Sequence, residues 1–323
     1  MKSYTTLLFA AFLSVLLLTA CKEEPEPDEY RQAMRDFVMA LRDHADSTAP
    51  DFLLIPQNGS ELLTMGDGYD TPPAAAYLAA IDGQGQEDLR YGYAADNRPT
   101  EQEDTAYLHA YLTAAEAFGV QVLVTDYCWN ESYMADSYTE NERGKFITFA
   151  APSRGLDVIP EYPPIPYNVN GDDIITLAAA RNFLYLLDPV LFTDRSNYIT
   201  ALDASSYDLF IIDAFYEEQL LTREEVIQLQ SKPNGARRLV IAYMSIGEAE
   251  EYRYYWQEGW RPGNPAWIHR ENPAWKGNYK VRYWEAAWQS IIFGNPDAYL
   301  DRILAAGFDG AYLDIIDAYE YFE

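Results

Sequence analysis

The feature that most restricts the fold of this chain is a succession of short apolar runs, rich in β-branched and aromatic residues, each closed by a polar turn. They occupy residues 52–57, 122–126, 146–150, 183–188, 209–213, 239–245, 279–284 and 310–314. Runs such as Leu209-Phe210-Ile211-Ile212-Asp213 are near-continuously apolar instead of alternating. That is the pattern of strands buried on both faces, as in parallel sheets covered by helices. Amphipathic stretches fall between several of them, at 103–118, 223–230 and 298–306, so strand and helix alternate. The succession predicts an α/β fold, a single (β/α)8 TIM barrel over residues 30–323, with the run at 279–284 the weakest strand.

The segment 30–44 carries Met34, Phe37, Val38 and Leu41 at helical spacing ahead of the first strand, while the sequence ends at Glu323, soon after the last one. The expectation is that this leading helix takes the place of a final helix. The Pro-rich stretch 159–166 reads as a long loop at the mouth of the third run.

Several runs end in, or just before, a carboxylate or carboxamide: Gln57-Asn58, Asp126, Asp188, Asp213 and Asp314. Each alone is an ordinary helix cap or turn former. In a barrel, however, the carboxyl ends of all strands converge on one face, where active sites are built. After the 239–245 run, Ser245-Ile246-Gly247-Glu248-Ala249-Glu250-Glu251 adds acids around a glycine turn, and after the last run Asp314 and Asp317 stand three apart, on one face of any helix that begins there. Glu87 and Asp88, in the glycine-rich segment 83–93 read as the loop after the first strand, reach the same mouth. A phosphate-binding loop is the competing reading of that segment, but it lacks the required Lys. Glycoside hydrolysis needs two carboxyl groups across the scissile bond, one protonated and one ionised, and crowding among acids supplies the raised pKa. Aromatics interleave with the acids, among them Tyr252, Trp256, Trp275, Tyr283 and Trp284, and their flat faces suit sugar rings as well as core packing.

The chain holds 51 acidic and 23 basic residues, a net charge of −28. Such a surface repels phosphate backbones, so nucleic acid is not an expected partner, and a neutral or cationic ligand fits better. The three histidines, His44, His109 and His269, stand too far apart in sequence for a joint zinc site; neither metal nor cofactor is expected.

Two longer segments resemble a known family. Tyr243-Met244-Ser245-Ile246-Gly247-Glu248-Ala249-Glu250 with Tyr252-Arg253, and Gly307-Phe308-Asp309-Gly310-Ala311-Tyr312-Leu313-Asp314-Ile315-Ile316-Asp317, resemble the two signature segments of glycoside hydrolase family 114, the endo-α-1,4-polygalactosaminidase-related barrels, in their bacterial and archaeal branch. The likeness also takes in Ile212-Asp213 and the Trp-rich stretch between, and extends over roughly residues 30–323. It implies a (β/α)8 barrel and a galactosamine-containing, polycationic polysaccharide as substrate. Asp213, Glu250 and Asp314 match the family's acidic positions, and Glu248 is an added carboxylate beside them. The catalytic candidates are therefore Asp213, Glu248, Glu250 and Asp314, with Asn58, Glu87, Asp88, Asp126, Asp188, Tyr243, Arg253, Tyr283, Trp284 and Asp317 as substrate contacts. Where the fungal branch carries a Glu before its last-strand Asp, this chain has Tyr312, which favours a competing reading as a glycan-binding protein with a degenerate site. A divalent-metal hydrolase using the Asp cluster is a third reading.

The address is read from the first residues. Lys2 and an apolar run from Leu7 to Ala20 have the form of a secretory signal, too short to span a bilayer. Leu18-Thr19-Ala20-Cys21 resembles a bacterial lipobox, which implies lipid on Cys21. The acidic stretch 21–29 then reads as a tether, and the outer membrane or cell surface as the expected location. With Cys21 lipidated, Cys128 is the only other thiol and no intramolecular disulfide can form.

Overall fold

The computed structural model describes residues 25–26 and 29–323; the signal, the lipobox and Cys21 lie outside the described residues. The fold is mixed α/β on parallel sheet. Strands β1 (Leu53–Pro56), β2 (Gly83–Glu87), β3 (Gln121–Tyr127), β4 (Ile147–Ala151), β5 (Phe183–Leu186), β6 (Leu209–Asp213), β7 (Leu239–Ser245) and β8 (Gly310–Asp314) are all paired in parallel. They form two sheets, a five-stranded one in the order β1-β8-β7-β6-β5 and a three-stranded one in the order β2-β3-β4. Single parallel bridges, Gln57 with Gly85 and Thr148 with Asn182, stand where the sheets meet. The core strands are buried along nearly their whole length, which is why their sequences do not alternate. No helix among the described residues is long and apolar enough to cross a membrane.

Two strand assignments differ from the sequence reading. Residues 279–284 are not a strand of the parallel array. Asn278–Val281 instead pairs antiparallel with Glu248–Glu250 and Ile268–Glu271 in a three-stranded insert after β7, and its half-exposed pattern suits a sheet covered on one face only. The segment read as a loop, Gly83-Gln84-Gly85-Gln86-Glu87, is β2. Its composition disfavours strand, but it must pass close to the ring of Tyr312: a Cβ added at Gly85 would lie 2.0 Å from the Tyr312 hydroxyl, and one at Gly83 2.9 Å from Leu177. The buried glutamines are hydrogen-bonded, Gln84 to the Asn58 carbonyl at 2.7 Å and Gln86 to the Ser60 hydroxyl at 3.0 Å. Tertiary contact overrides local propensity here.

The leading helix α1 (Tyr30–Asp46) buries the expected stripe Met34, Phe37, Val38 and Leu41. Its N-terminal Tyr30 packs on Trp284 and Phe322, Phe37 packs on Phe293, and His44 lies 3.0 Å from Asp301. Arg35 donates to the backbone carbonyls of Glu61, Leu62 and Thr64, fastening α1 to the loop after β1.

Gly85→Ala should destabilise the protein by roughly 2 kcal/mol or more, the range for overpacking a close-packed core. The loss should shrink in a Tyr312→Phe background, where the atom nearest the new methyl is gone. Urea melts of the two single variants and the double variant check this; strictly additive losses would show that Gly85 and Tyr312 do not compete for space.

Candidate functional site

Parallel strands leave through one face, so residues far apart in sequence meet at their ends. Asn58, Glu87, Asp188 and Asp213 line one cleft of about 670 Å³ with Asp314 and Asp317, and Tyr243, Glu248, Glu250 and Arg253 complete its wall. Two backbone features aim the acids. A Cβ on Gly247 would lie 2.0 Å from the Ile315 carbonyl oxygen, so glycine is required for the exits of β7 and β8 to run this close. Ile315 sits at φ 57°, a left-handed conformation that costs a β-branched residue on the order of 1–3 kcal/mol. The turn it makes leaves Asp314 and Asp317, on either side of it, both facing the cleft.

On one side of the cleft Arg253 joins two carboxylates. Its side chain is 4% exposed; Nη1 lies 2.8 Å from both oxygens of Asp213, and Nε donates to Glu250 at 2.6 Å. The Tyr252 hydroxyl donates to the other Glu250 oxygen at 2.5 Å, and the rings of Tyr252 and Tyr299 stand 5.1 and 5.5 Å from the guanidinium. Burial alone would lower Arg253, but Asp213 and Glu250 outweigh it and hold it well above its usual value. Burial pushes Asp213 up, and Arg253 together with the Phe215 N–H, at 2.8 Å, pulls against that. A guanidinium keeps its proton in proteins, so Arg253 sets a full positive charge against both oxygens of Asp213, and burial still leaves Asp213 above its usual value.

Among the described residues Asp314 forms no ion pair with a cation. The Tyr243 hydroxyl donates to one of its oxygens at 2.7 Å. Burial first, then the charge of Glu87, pushes Asp314 to about 7, against the pull of the Tyr243 bond. Glu87 itself accepts from Asn58 at 2.8 Å and from the Tyr127 hydroxyl. Asp317 lies well above the ordinary carboxylate range, through burial and then Asp314, Glu320 and Glu87. Glu248 is raised by burial, against hydrogen bonds led by that of Tyr321. One cleft thus holds an ion-paired carboxylate and a carboxyl that is half protonated near neutrality, the pairing that acid–base chemistry on two carboxyls requires.

Four of the residues singled out in the sequence stand apart from the cleft lining. Asp126 is fully buried on the outer face of β3, accepting from the N–H groups of Arg90 and Tyr91 and from Ser137 and Asn141; it clamps the loop after β2 to the helix Glu131–Arg143. Asp88 turns to Arg154 at 2.8 Å, and burial, opposed by Arg154, pushes it to about 7. Tyr283 and Trp284 are core residues: the Tyr283 hydroxyl donates to the Tyr30 carbonyl at 2.8 Å, and the Trp284 ring packs on Tyr30 and Phe322. The sequence reading missed Tyr127, Arg154 and Tyr185, all lining the cleft. Alternation along β3 was the available signal, because a strand that turns Asp126 outward turns Tyr127 inward. Trp275, 56% exposed on the insert, stands at the rim. Among the described residues no group of three or more His, Cys, Asp or Glu is arranged to hold a metal ion.

Residues 173–323 match the model of the glycoside-hydrolase family GH114. The match takes in β5 to β8 and both signature segments, while β1 to β4 lie outside it. Three relatives, each described as an uncharacterized protein, share parts of the chain. One from Deinococcus radiodurans is 43% identical over 122 residues, 38% of this chain and 37% of the relative. One from Thermotoga maritima is 51% identical over 81 residues, 25% of this chain and 24% of the relative. One from Methanocaldococcus jannaschii is 42% identical over 120 residues, 36% and 32% respectively. The chain therefore spans less than two fifths of the length of each.

A carboxyl raised from 3.8 to about 7 favours the fold fully below its unfolded pKa, and that contribution is lost as pH rises from about 4 to about 7. At about 1.4 kcal/mol per unit, the loss is on the order of 4 kcal/mol. Asp314→Asn should therefore be more stable than the parent at pH 8 and gain little at pH 4. Urea melts at both values check this, and a gain independent of pH would contradict it.

Proposed function

Because residues 173–323 belong to glycoside-hydrolase family GH114, we propose that the protein is an endo-acting glycoside hydrolase of an amino-sugar-containing, polygalactosamine-like polysaccharide, with Asp314 as general acid and Asp213 as the ionised partner. The observation that carries this reading is the different setting of the two carboxyls: Asp314 pushed to about 7 with no ion pair among the described residues, Asp213 ion-paired to Arg253. Asp314 gives its proton to the glycosidic oxygen as the C–O bond breaks, and the leaving sugar departs as an alcohol. Asp213 either attacks the anomeric carbon or takes a proton from the water that does. Tyr243 orients Asp314, and Glu250 holds Arg253 against Asp213. The net charge of −28 draws in a polycation.

The same reading takes the two parallel sheets as one closed (β/α)8 barrel over residues 30–323, supported by the bridges at both junctions, with α1 in the place of the last helix. It takes residues 1–20 as an export signal and residues 21–29 as a tether, with Cys21 lipidated and the protein at the outer membrane or cell surface. A second reading, a glycan-binding surface protein without turnover, is favoured by Tyr312. It stands where the fungal relatives' resemblance implies a Glu, and its fully buried hydroxyl lacks a hydrogen-bond partner. That reading expects polysaccharide binding without release of reducing ends.

Asp314→Asn and Asp213→Asn should each lower reducing-end release from de-N-acetylated polygalactosamine by about 100-fold or more while the protein stays folded. Unchanged turnover in both would remove these carboxyls from the mechanism. In the parent, kcat/KM should fall as pH rises through about 7, because Asp314 loses the proton it must donate; a rate flat from pH 6 to 9 would contradict the acid role.

A further inference from the structure

We propose that the polysaccharide chain crosses the mouth between two tryptophan platforms, Trp129 and Trp275, with one sugar ring stacked on each, an inference that rests on the glycosidase reading and adds the path its substrate takes. The protein has seven tryptophans. Trp267, Trp284 and Trp288 are buried, and Trp256 and Trp260 are partly buried against the core, the first stacked on Tyr279 and the second edge-on to Trp267. Trp129 and Trp275 are 57% and 56% exposed, and among the described residues neither indole has a hydrogen bond or a ring contact. One exposed aromatic is ordinary on a protein surface, but the placement of these two sets them apart.

Trp129 follows the end of β3, and Trp275 sits in the turn between Ile268–Glu271 and Asn278–Val281 of the insert after β7. Counted through the strand pairs and the two single bridges, β3 and β7 are four strands apart in either direction, which in the barrel puts them at opposite edges of the mouth. Asp213 and Asp314 end β6 and β8, the strands on either side of β7. A chain laid from Trp129 to Trp275 therefore passes the proposed catalytic pair, nearer its Trp275 end. Both platforms are fixed through their backbones. The Asn97 side chain accepts from the N–H groups of Trp129 and Asn130 at 3.0 and 2.9 Å. In the insert, the Asn272 side chain accepts from the Ala274 N–H at 3.0 Å, and the Trp275 carbonyl accepts from the Asn278 N–H at 3.1 Å. Platforms already in place bind with little ordering cost, and an indole face covers the C–H face of a pyranose while the sugar hydroxyls stay in water. Two separate faces flanking an acidic cleft lack the continuous apolar centre of a protein interface, and the net charge of −28 repels the nucleic-acid strands that also stack on aromatics. Trp129 lies outside residues 173–323, so this edge of the path comes from the half of the chain beyond the family match.

The test is calorimetric binding to the full chain carrying Asp314→Asn, which suppresses turnover, with a galactosamine octasaccharide and the matching disaccharide as probes. One octasaccharide should bind per protein molecule. Trp129→Ala and Trp275→Ala should each weaken it by about tenfold, the scale of one aromatic face covered, and Phe at either position should restore most of the loss. Trp129→Ala should change the disaccharide, too short to reach from the acids to that edge, by less than about twofold. Two octasaccharides per molecule, a loss at one tryptophan only, an equal loss on the disaccharide in Trp129→Ala, or no octasaccharide binding by the parent would overturn the path. A protein that shows these losses yet cleaves no polymer sinks the glycosidase reading and keeps the path; one that cleaves polymer while both alanine variants bind the octasaccharide as the parent does keeps the glycosidase reading and sinks the path.

Discussion

The interaction on which the site depends is the buried guanidinium of Arg253 between Asp213 and Glu250. Asp213 ends a strand of the five-stranded sheet and Glu250 belongs to the insert after β7. One planar, permanently charged group with fixed donors thus ties the insert to the sheet. An unpaired buried charge costs several kcal/mol, so the guanidinium and the oxygens that face it offset one another's burial. The aromatic rings of Tyr252 and Tyr299 surround the guanidinium, so the cation is held by faces as well as by oxygens.

That ion pair gives the cleft its asymmetry. On the Arg253 side a carboxylate is compensated. Around Asp314 stand a phenol donor, the Ile315 N–H and further acids, and burial outweighs the two hydrogen bonds to raise the proton affinity there. The contrast arises from where one cation sits, because the two carboxyls are chemically alike and both end parallel strands. The backbone contributes through Gly247 and the left-handed Ile315, a strained passage that the paired strands on either side hold in place.

Much of the architecture was legible in the residues. Strands β1 and β3 to β8, apart from β2, announced themselves as apolar runs, since burial on both faces leaves little choice of side chain. Strand β2 was illegible because its glycines and glutamines answer to the Tyr312 ring and the Asn58 carbonyl, neither of which is local to it. Residues 279–284 misled for the opposite reason: Tyr279 and Val281 satisfy strand propensity, which says nothing about which sheet a strand joins.

The sequence by itself determined that strand and helix alternate and that the strand ends are rich in acids, because composition and periodicity are properties of the chain taken in order, and two of its later segments resemble those of GH114. Only the tertiary structure decided which acids share a cleft and which serve as clamps. It sent Asp126 outward to Ser137 and Asn141, set Asp88 against Arg154, and buried Tyr283 and Trp284 under α1. It also set Asp213 against a cation and gave Asp314 no ion pair among the described residues. A carboxyl's proton affinity is fixed by burial and by charges a few ångströms away, and those neighbours come from segments that only folding brings together.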